Sequence, residues 1–311
     1  MLSRVADSLY WMSRYMERSD GILRMLKINY ASSQDDLQDF SWDSVLKLFT
    51  PTEEERARLL VDEGRWALHF MVCERENPNA VVNIVTKARE NARSVQDHIT
   101  KELWQCLNDF YHSVRDGGLA KSLYKEDPIT ILDTLVKQGL LFVGTGDITM
   151  ARGEGFAFMN IGRFLERAIL TADILDVKIS DMGFSNDDSD DTTYWKYMLL
   201  SISGYELYLK TYRSGFEAKK VVEQIVLNNN FPRSILYSIN RLHRYFEQLK
   251  TEGNSENYRK VDFLIGKIKS KVRYSTVDSI MQQGLHSYLK EVKSELYIIG
   301  NTLNQQFFAY S

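Results

Sequence analysis

Several residue types are scarce in this chain, and each scarcity excludes something. Only four prolines occur in 311 residues: Pro51, Pro78, Pro128 and Pro232. Proline removes a backbone donor and clashes with the preceding turn, so long stretches without it suit long helices. Period-two alternation bounded by turn pairs, the mark of strands, is also scarce. The two cysteines, Cys73 and Cys106, form no CxxC and no disulfide framework, so they read as small buried hydrophobes in a reducing cytoplasm. Only five histidines are present, and no Glu-x-x-His of the di-iron bundle kind occurs. "DFYH" at Asp109–His112 and the His243/Glu247 pair are the nearest approaches, so no metal and no cofactor is expected.

Other absences narrow the function. The net charge is −3, with 39 basic and 42 acidic residues. A general nucleic-acid binder would carry a basic excess to neutralise phosphates. The most apolar run, "GLLFVG", is far shorter than the roughly 20 residues a membrane span needs. "MLSRVADSLYW" carries an acid and an arginine inside its apolar pattern and no small-residue cleavage site, unlike a signal peptide. Neither HExxH nor a Walker A sequence occurs; "GTGDIT" fails GxGxxG at Thr149. "SNDDSDD", Ser185–Asp191, lacks the spaced glycine and terminal glutamate of an EF loop and reads as an acidic loop.

What is present is a helical pattern written twice. Val5, Leu9, Met12, Met16, Ser19, Leu23 and Leu26 are separated by steps of 4, 3, 4, 3, 4 and 3, the spacing of one helix face packed on another helix. Ser3 is its expected N-cap. Phe158, Ile161, Leu165, Ala168, Ala172 and Leu175 repeat the pattern, and subtracting 149 returns the first register from Leu9 to Leu26. Arg163, Glu166 and Arg167 then fall on Arg14, Glu17 and Arg18. "SQDD" and "SNDD" are 152 apart, Trp42 and Trp195 are 153 apart, and "NPNAVVNI" and "FPRSILYS" are 154 apart. Landmarks in one order with slowly growing offsets argue for an internal duplication. The chain is therefore expected to be an all-α multi-helix bundle, one domain over 1–311. Its two similar halves, 1–146 and 147–311, would be related by a pseudo-twofold.

Further helices are expected from Ala80 to Tyr111, ending near Gly117-Gly118, from Asp127-Pro128 to Phe142, and from Thr276 to about Phe308. Proline at 78 and 232 marks two helix starts. "VGTGDITMARGEG", Val143–Gly155, reads as the joint between halves.

The charged residues cluster. Arg14 and Arg18 share a helix face, with Glu17 three residues from Arg14 and within pairing reach. "ARENARSVQD" brings Arg89, Glu90, Asn91 and Arg93 together, with Asp97 four after Arg93. "ARGEGF" places Arg152 and Glu154 just ahead of the second repeated helix. "NNNFPRS" puts Arg233 at a helix start, where backbone donors and an arginine suit an anion.

Together, "MLSRVADSLYWMSRYMERSD", "ARENARSVQD", "MARGEGFAFMNIGRFLERA" and "NNNFPRS" resemble the bacterial Alpha-E family over nearly the whole chain. Two departures stand out. Phe156 follows "EG" where the family usually has tryptophan, and Ser214 in "TYRSG" replaces a second arginine, which puts one anion contact in doubt. The resemblance implies an all-helical fold and a polar signature of Arg14, Glu17, Arg18, Arg89, Glu90, Asn91, Arg93, Arg152, Glu154, Arg163, Glu166, Arg167 and Arg233. It also implies a circularly permuted ATP-grasp partner, with a transglutaminase-like peptidase as a further associate, in making or modifying peptides. Three readings follow. The clusters bind a peptide or other carboxylate group for the ligase; or Glu17 or Glu166 is the general base of a stand-alone enzyme; or the Glu-Arg pairs are buried ties of a scaffold.

Overall fold

The structure, a computed structural model, describes the chain except residues 35–41, 50–63, 182–191, 214, 251–254 and 309–311. The acidic "SNDD" and the two aspartates of "SQDD" lie outside the described residues, as does Ser214. Among the described residues the regular structure is entirely helical. The α-helices are α1 (Ser3–Gln34), α2 (Trp42–Phe49), α3 (Gly64–Val72), α4 (Val81–Ser94), α5 (Lys101–Arg115), α6 (Gly117–Lys125), α7 (Pro128–Thr149), α8 (Glu154–Asp181), α9 (Thr192–Ser201), α10 (Tyr205–Tyr212), α11 (Ala218–Val222), α12 (Ile235–Glu247), α13 (Ser255–Arg273), α14 (Val277–Gln283) and α15 (Leu285–Leu303). No described helix is long and apolar enough to cross a membrane.

The chain forms two compact units. One combines Met1–Arg14 with Ala151–Ser311; the other is Tyr15–Met150. These bounds differ from the sequence halves 1–146 and 147–311, because the first fourteen residues join the later part of the chain.

In the first unit α8 is the central element, packed by α12 and α15, and α13 packs on both of those. The apolar spacing explains why. All six repeated-register residues of α8, Phe158 to Leu175, are buried, and Ala168 and Ala172 are fully enclosed. α12 answers with Ile235, Ile239, Leu242 and Phe246, a 4-3-4 stripe that is also enclosed. Complete burial of each such side chain contributes about 1.5–3 kcal/mol. Glycine brings α1 unusually close to α8: a Cβ on Gly162 would lie 2.3 Å from the Tyr10 carbonyl oxygen.

In the second unit α5 packs between α4 and α7. Asp127 caps α7 by accepting from the Ile129 and Thr130 amides, and Pro128 occupies the first turn where its missing N–H is harmless. Lys27 on α1 donates to Asp133 on α7 at 2.5 Å.

Several boundaries differ from the sequence reading, each for a local reason. The span from Ala80 to Tyr111 is broken: α4 ends at Ser94, a 3₁₀ turn follows, and Thr100 caps α5 by accepting from the Leu103 amide. Gly117-Gly118 opens α6, because the Asp116 carboxylate caps it. The helix capped by Asp127 runs through Gly144 and Gly146 to Thr149, so the joint is only Met150–Gly153. Thr276 is an N-cap, in a reciprocal capping box with Ser279, but its helix stops at Gly284, whose φ of 89° is open to glycine. Pro78 and Pro232 lie in the turns ahead of α4 and α12, whose N-cap positions are Ala80 and Ser234. Ser3 is already helical, and the Val5 and Ala6 amides donate to the Leu2 carbonyl instead.

Candidate functional site

The face of α8 beside its apolar stripe carries Glu166, and α1 brings Arg14 to it. The Arg14 Nε and Nη2 atoms both lie 2.7 Å from Glu166 Oε2. Nη1 donates to the Tyr10 hydroxyl at 3.1 Å. The guanidinium also sits 4.6 Å from the Trp11 ring centroid. The pair is buried: the side chains are 9% and 2% exposed. Gly300 on α15 lies against it, with a hypothetical Cβ 3.6 Å from the Tyr10 hydroxyl. Burial alone would pull the Arg14 pKa down, but the Glu166 carboxylate and Tyr10 outweigh it, so the guanidinium is held above its ordinary value. Burial pushes the Tyr10 phenol up, against the opposing pull of Arg14. The spacing Arg14/Glu17 suggested a local pair, but the carboxylate bonded to Arg14 belongs to another helix.

Seven and ten residues beyond Glu166, the same helix presents Asp173 and Asp176. Lys293 on α15 bridges them, 3.1 Å from Asp173 and 2.8 Å from Asp176, and His286 Nδ1 lies 2.6 Å from Asp176. Burial raises the Asp173 pKa, offset in part by Lys293 and reinforced by Glu166 and Asp176. Burial lowers Lys293, but its two carboxylates raise it further, so the ammonium persists above its ordinary range. This carboxylate–lysine contact was not anticipated, because its members lie more than 100 residues apart and fall in no motif.

The remaining arginines of α8 are half-buried and gather on one ring. The guanidinium carbons of Arg163 and Arg167 lie 4.7 and 5.0 Å from the Phe164 centroid, and Arg241 of α12 lies 5.6 Å from it. Phe164 in turn stacks on Tyr245, centroids 5.9 Å apart at 12°. Arg167 donates to the Pro232 carbonyl at 3.2 Å, and Thr171 to the Arg233 carbonyl at 2.9 Å, which fixes the "NNNFPRS" turn against α8. Arg152 covers Phe156 at 4.0 Å, and exposed Glu154 accepts from the Met1 ammonium at 2.8 Å. Phe156, in place of the family tryptophan, is buried and packs edge-on against Tyr245.

In the other unit Glu17 is buried at 4% exposure, and Arg18 shares the Tyr15 ring with Lys87. Arg89 donates to Asn108 at 2.9 Å and to Glu90 at 3.0 Å, and lies over Tyr111. Arg93 and Glu90 are exposed, 3.7 Å apart, and Asn91 donates to the Lys87 carbonyl. Burial raises the Cys73 and Cys106 thiols to about 11, so neither is a thiolate nucleophile near neutrality.

Burial also sets an alkaline limit. The Tyr10, Tyr208, Tyr258 and Tyr288 phenols are all raised, chiefly by desolvation, Tyr258 to about 12. Lys271 and Lys293 are raised by their carboxylates against the opposing effect of burial. Each group keeps its proton in the folded chain at a pH where the unfolded chain releases it. This stability is therefore complete below about pH 10 and is lost as pH climbs through the raised values. Helical circular dichroism is expected to hold to about pH 10 and then to fall together with the ionisation of the buried tyrosines. Ionisation of all 17 tyrosines completed near pH 10 with the helix intact would contradict the burial described.

Comparison with known proteins places this geometry. An uncharacterized protein of Mycobacterium bovis is 21% identical over 318 residues, covering 94% of this chain and 35% of that protein. Two uncharacterized proteins of Mycobacterium tuberculosis strains are 21% and 20% identical with the same coverage. The chain thus spans about a third of the length of these curated relatives. No solved structure is detectably similar. A family model described as a predicted alpha-helical domain with a conserved ER motif matches residues 1–308, so the chain belongs to the Alpha-E family.

Proposed function

We propose that this protein is a binding component of an ATP-grasp amide-ligase system in peptide synthesis or modification, and that the arginines of α8 hold a carboxylate of the peptide. The convergence of Arg163 and Arg167 on Phe164 carries the reading. Stacking on an aromatic face and the Pro232 carbonyl orient the guanidinium forks before any ligand arrives, and a planar fork suits a carboxylate. The family's implied ATP-grasp association and the relatives' much greater length fit a component that works beside other protein.

The stand-alone enzyme fares less well. A general base must reach a substrate proton, whereas Glu166 is almost fully enclosed and held by two nitrogens of Arg14. The scaffold reading has its own residues: the Arg14–Glu166 pair ties helices together, whereas the half-buried arginines beside it are stacked on Phe164.

The test is an Arg167→Ala variant assayed for peptide ligation and ATP consumption with the ATP-grasp partner. Loss of a charge-assisted contact is expected to reduce activity by about 10- to 100-fold, with the melting temperature lowered only by the lost hydrogen bond to the Pro232 carbonyl. Full activity, or loss of activity only in step with loss of folding, would overturn the proposal. Ligation by this chain without the partner would instead establish it as an enzyme.

A further inference from the structure

A cavity of about 550 Å³ opens in the first unit where α12, α13 and the turn before α12 meet. Its charged lining has one sign. Arg241 and Arg244 face it from α12, Lys269 and Arg273 from α13. Among the described residues no carboxylate lies within salt-bridge distance of any of the four. Glu247 and Asp262 approach His243 instead, each at 3.7 Å. Lys269 lies 3.0 Å from His243 Nδ1. Arg241 Nε is buried and makes no hydrogen bond, although the rest of its guanidinium reaches the Tyr245 hydroxyl at 3.2 Å. Burying such a donor without a partner costs free energy, so it marks a position for an acceptor.

The neutral lining is also set. Asn240 donates to Asn229 at 2.7 Å, and the turn carrying Asn229 is pinned by the Ser234 hydroxyl on the Asn228 carbonyl. Tyr237 and Leu236 add partly apolar side chains to the lining.

We propose that this cavity is a polyphosphate site that takes a small molecule bearing a di- or triphosphate group. Three arginines and one lysine sum to four positive charges. A single carboxylate would leave most of that charge uncompensated, whereas a di- or triphosphate brings about −3 to −4 at neutral pH and several oxygens for guanidinium forks. The volume lies within the roughly 300–1,000 Å³ of small-molecule sites, so there is space beyond the phosphates for an organic group against Tyr237. Four like charges in one groove repel one another, and a fold selected for stability alone gains nothing by assembling them. The inference is independent of the ligase reading, since Arg244, Lys269 and Arg273 play no part in it.

The test is calorimetric titration of the full chain, in EDTA, with inorganic tripolyphosphate and with ADP. Citrate and hexaglutamate serve as controls for polycarboxylate ligands and acidic protein segments. Saturable binding of at least one phosphate ligand below about 1 mM is expected, weakening steeply with salt. Tighter ADP binding identifies a nucleotide-like ester, and tighter tripolyphosphate binding an inorganic chain; either supports the site. Arg244→Gln and Arg273→Gln change exposed residues and leave the fold intact. Each is expected to weaken binding about tenfold and, by relieving repulsion, to raise the ligand-free melting temperature by about 1–2 °C. Three results would overturn the proposal: no saturable phosphate binding, binding unaffected by both variants, or citrate or hexaglutamate binding as tightly as the phosphates.

Discussion

Glu166→Leu alone is expected to destabilise the protein by about 3–5 kcal/mol, the cost of stranding one member of a buried ion pair. The substitution leaves the Arg14 guanidinium enclosed by Tyr10 and Trp11, with the two nitrogens that met Glu166 Oε2 lacking an acceptor. Arg14→Met is expected to cost a similar amount, because it takes the guanidinium away from a carboxylate that is almost fully buried. The double variant, Arg14→Met with Glu166→Leu, removes both charges and refills most of the volume. It should recover to within about 1 kcal/mol of the parent, or exceed it, since a buried pair scarcely outweighs its own desolvation. Urea unfolding of the four proteins closes the cycle and isolates the coupling. A single-variant cost below about 1 kcal/mol would put the pair in solvent-like surroundings and refute the geometry. The double variant also separates function from folding: if it keeps whatever activity the parent shows in the proposed ligation assay, Glu166 is a structural residue and not a base.

The sequence carried the cores of α1 and α8 well. Every apolar member of both stripes is buried, because a 3-4 repeat leaves a helix one way to hide its apolar face. The break between α4 and α5 was harder to see. It contains neither glycine nor proline, and its one signal is Thr100 capping the next turn. Gly144 and Gly146 misled in the opposite direction: they read as a joint, yet the packing of α7 outweighs their weak helix propensity. Charges were less legible than apolar spacing. The four-residue interval of Arg14 and Arg18 is local information, but Glu166 is 152 positions from its partner. Likewise Lys269 and Arg273 form a visible four-residue step, but nothing in the sequence sets it facing Arg241 and Arg244. Asp173, Asp176 and Lys293 met for the same unreadable reason, the mutual rotation of α8 and α15.

Gly162→Ala tests the contact that sets that geometry. The added methyl would lie 2.3 Å from the Tyr10 carbonyl oxygen, 3.1 Å from its carbon and 3.2 Å from Arg14 Cγ. Two of these atoms are backbone and cannot rotate away, so α1 must withdraw from α8. Alanine gains nearly 1 kcal/mol of helix propensity over glycine, but overpacking costs of about 1–3 kcal/mol or more are joined here by displacement of Arg14 from Glu166. The net loss is expected to be about 3 kcal/mol, beyond the common range for a glycine-to-alanine change in a helix. Gly266→Ala in α13 is the control: a methyl there meets nothing within 4 Å, so the propensity gain should appear unopposed. The two effects of Gly162→Ala are separable by combining it with Arg14→Met and Glu166→Leu. In that background only the steric clash remains, so the cost should be smaller than in the parent. An equal cost in both backgrounds would mean that the helix spacing and the ion pair are energetically independent. Tolerance of Gly162→Ala in the parent would mean that α1 does not approach α8 this closely.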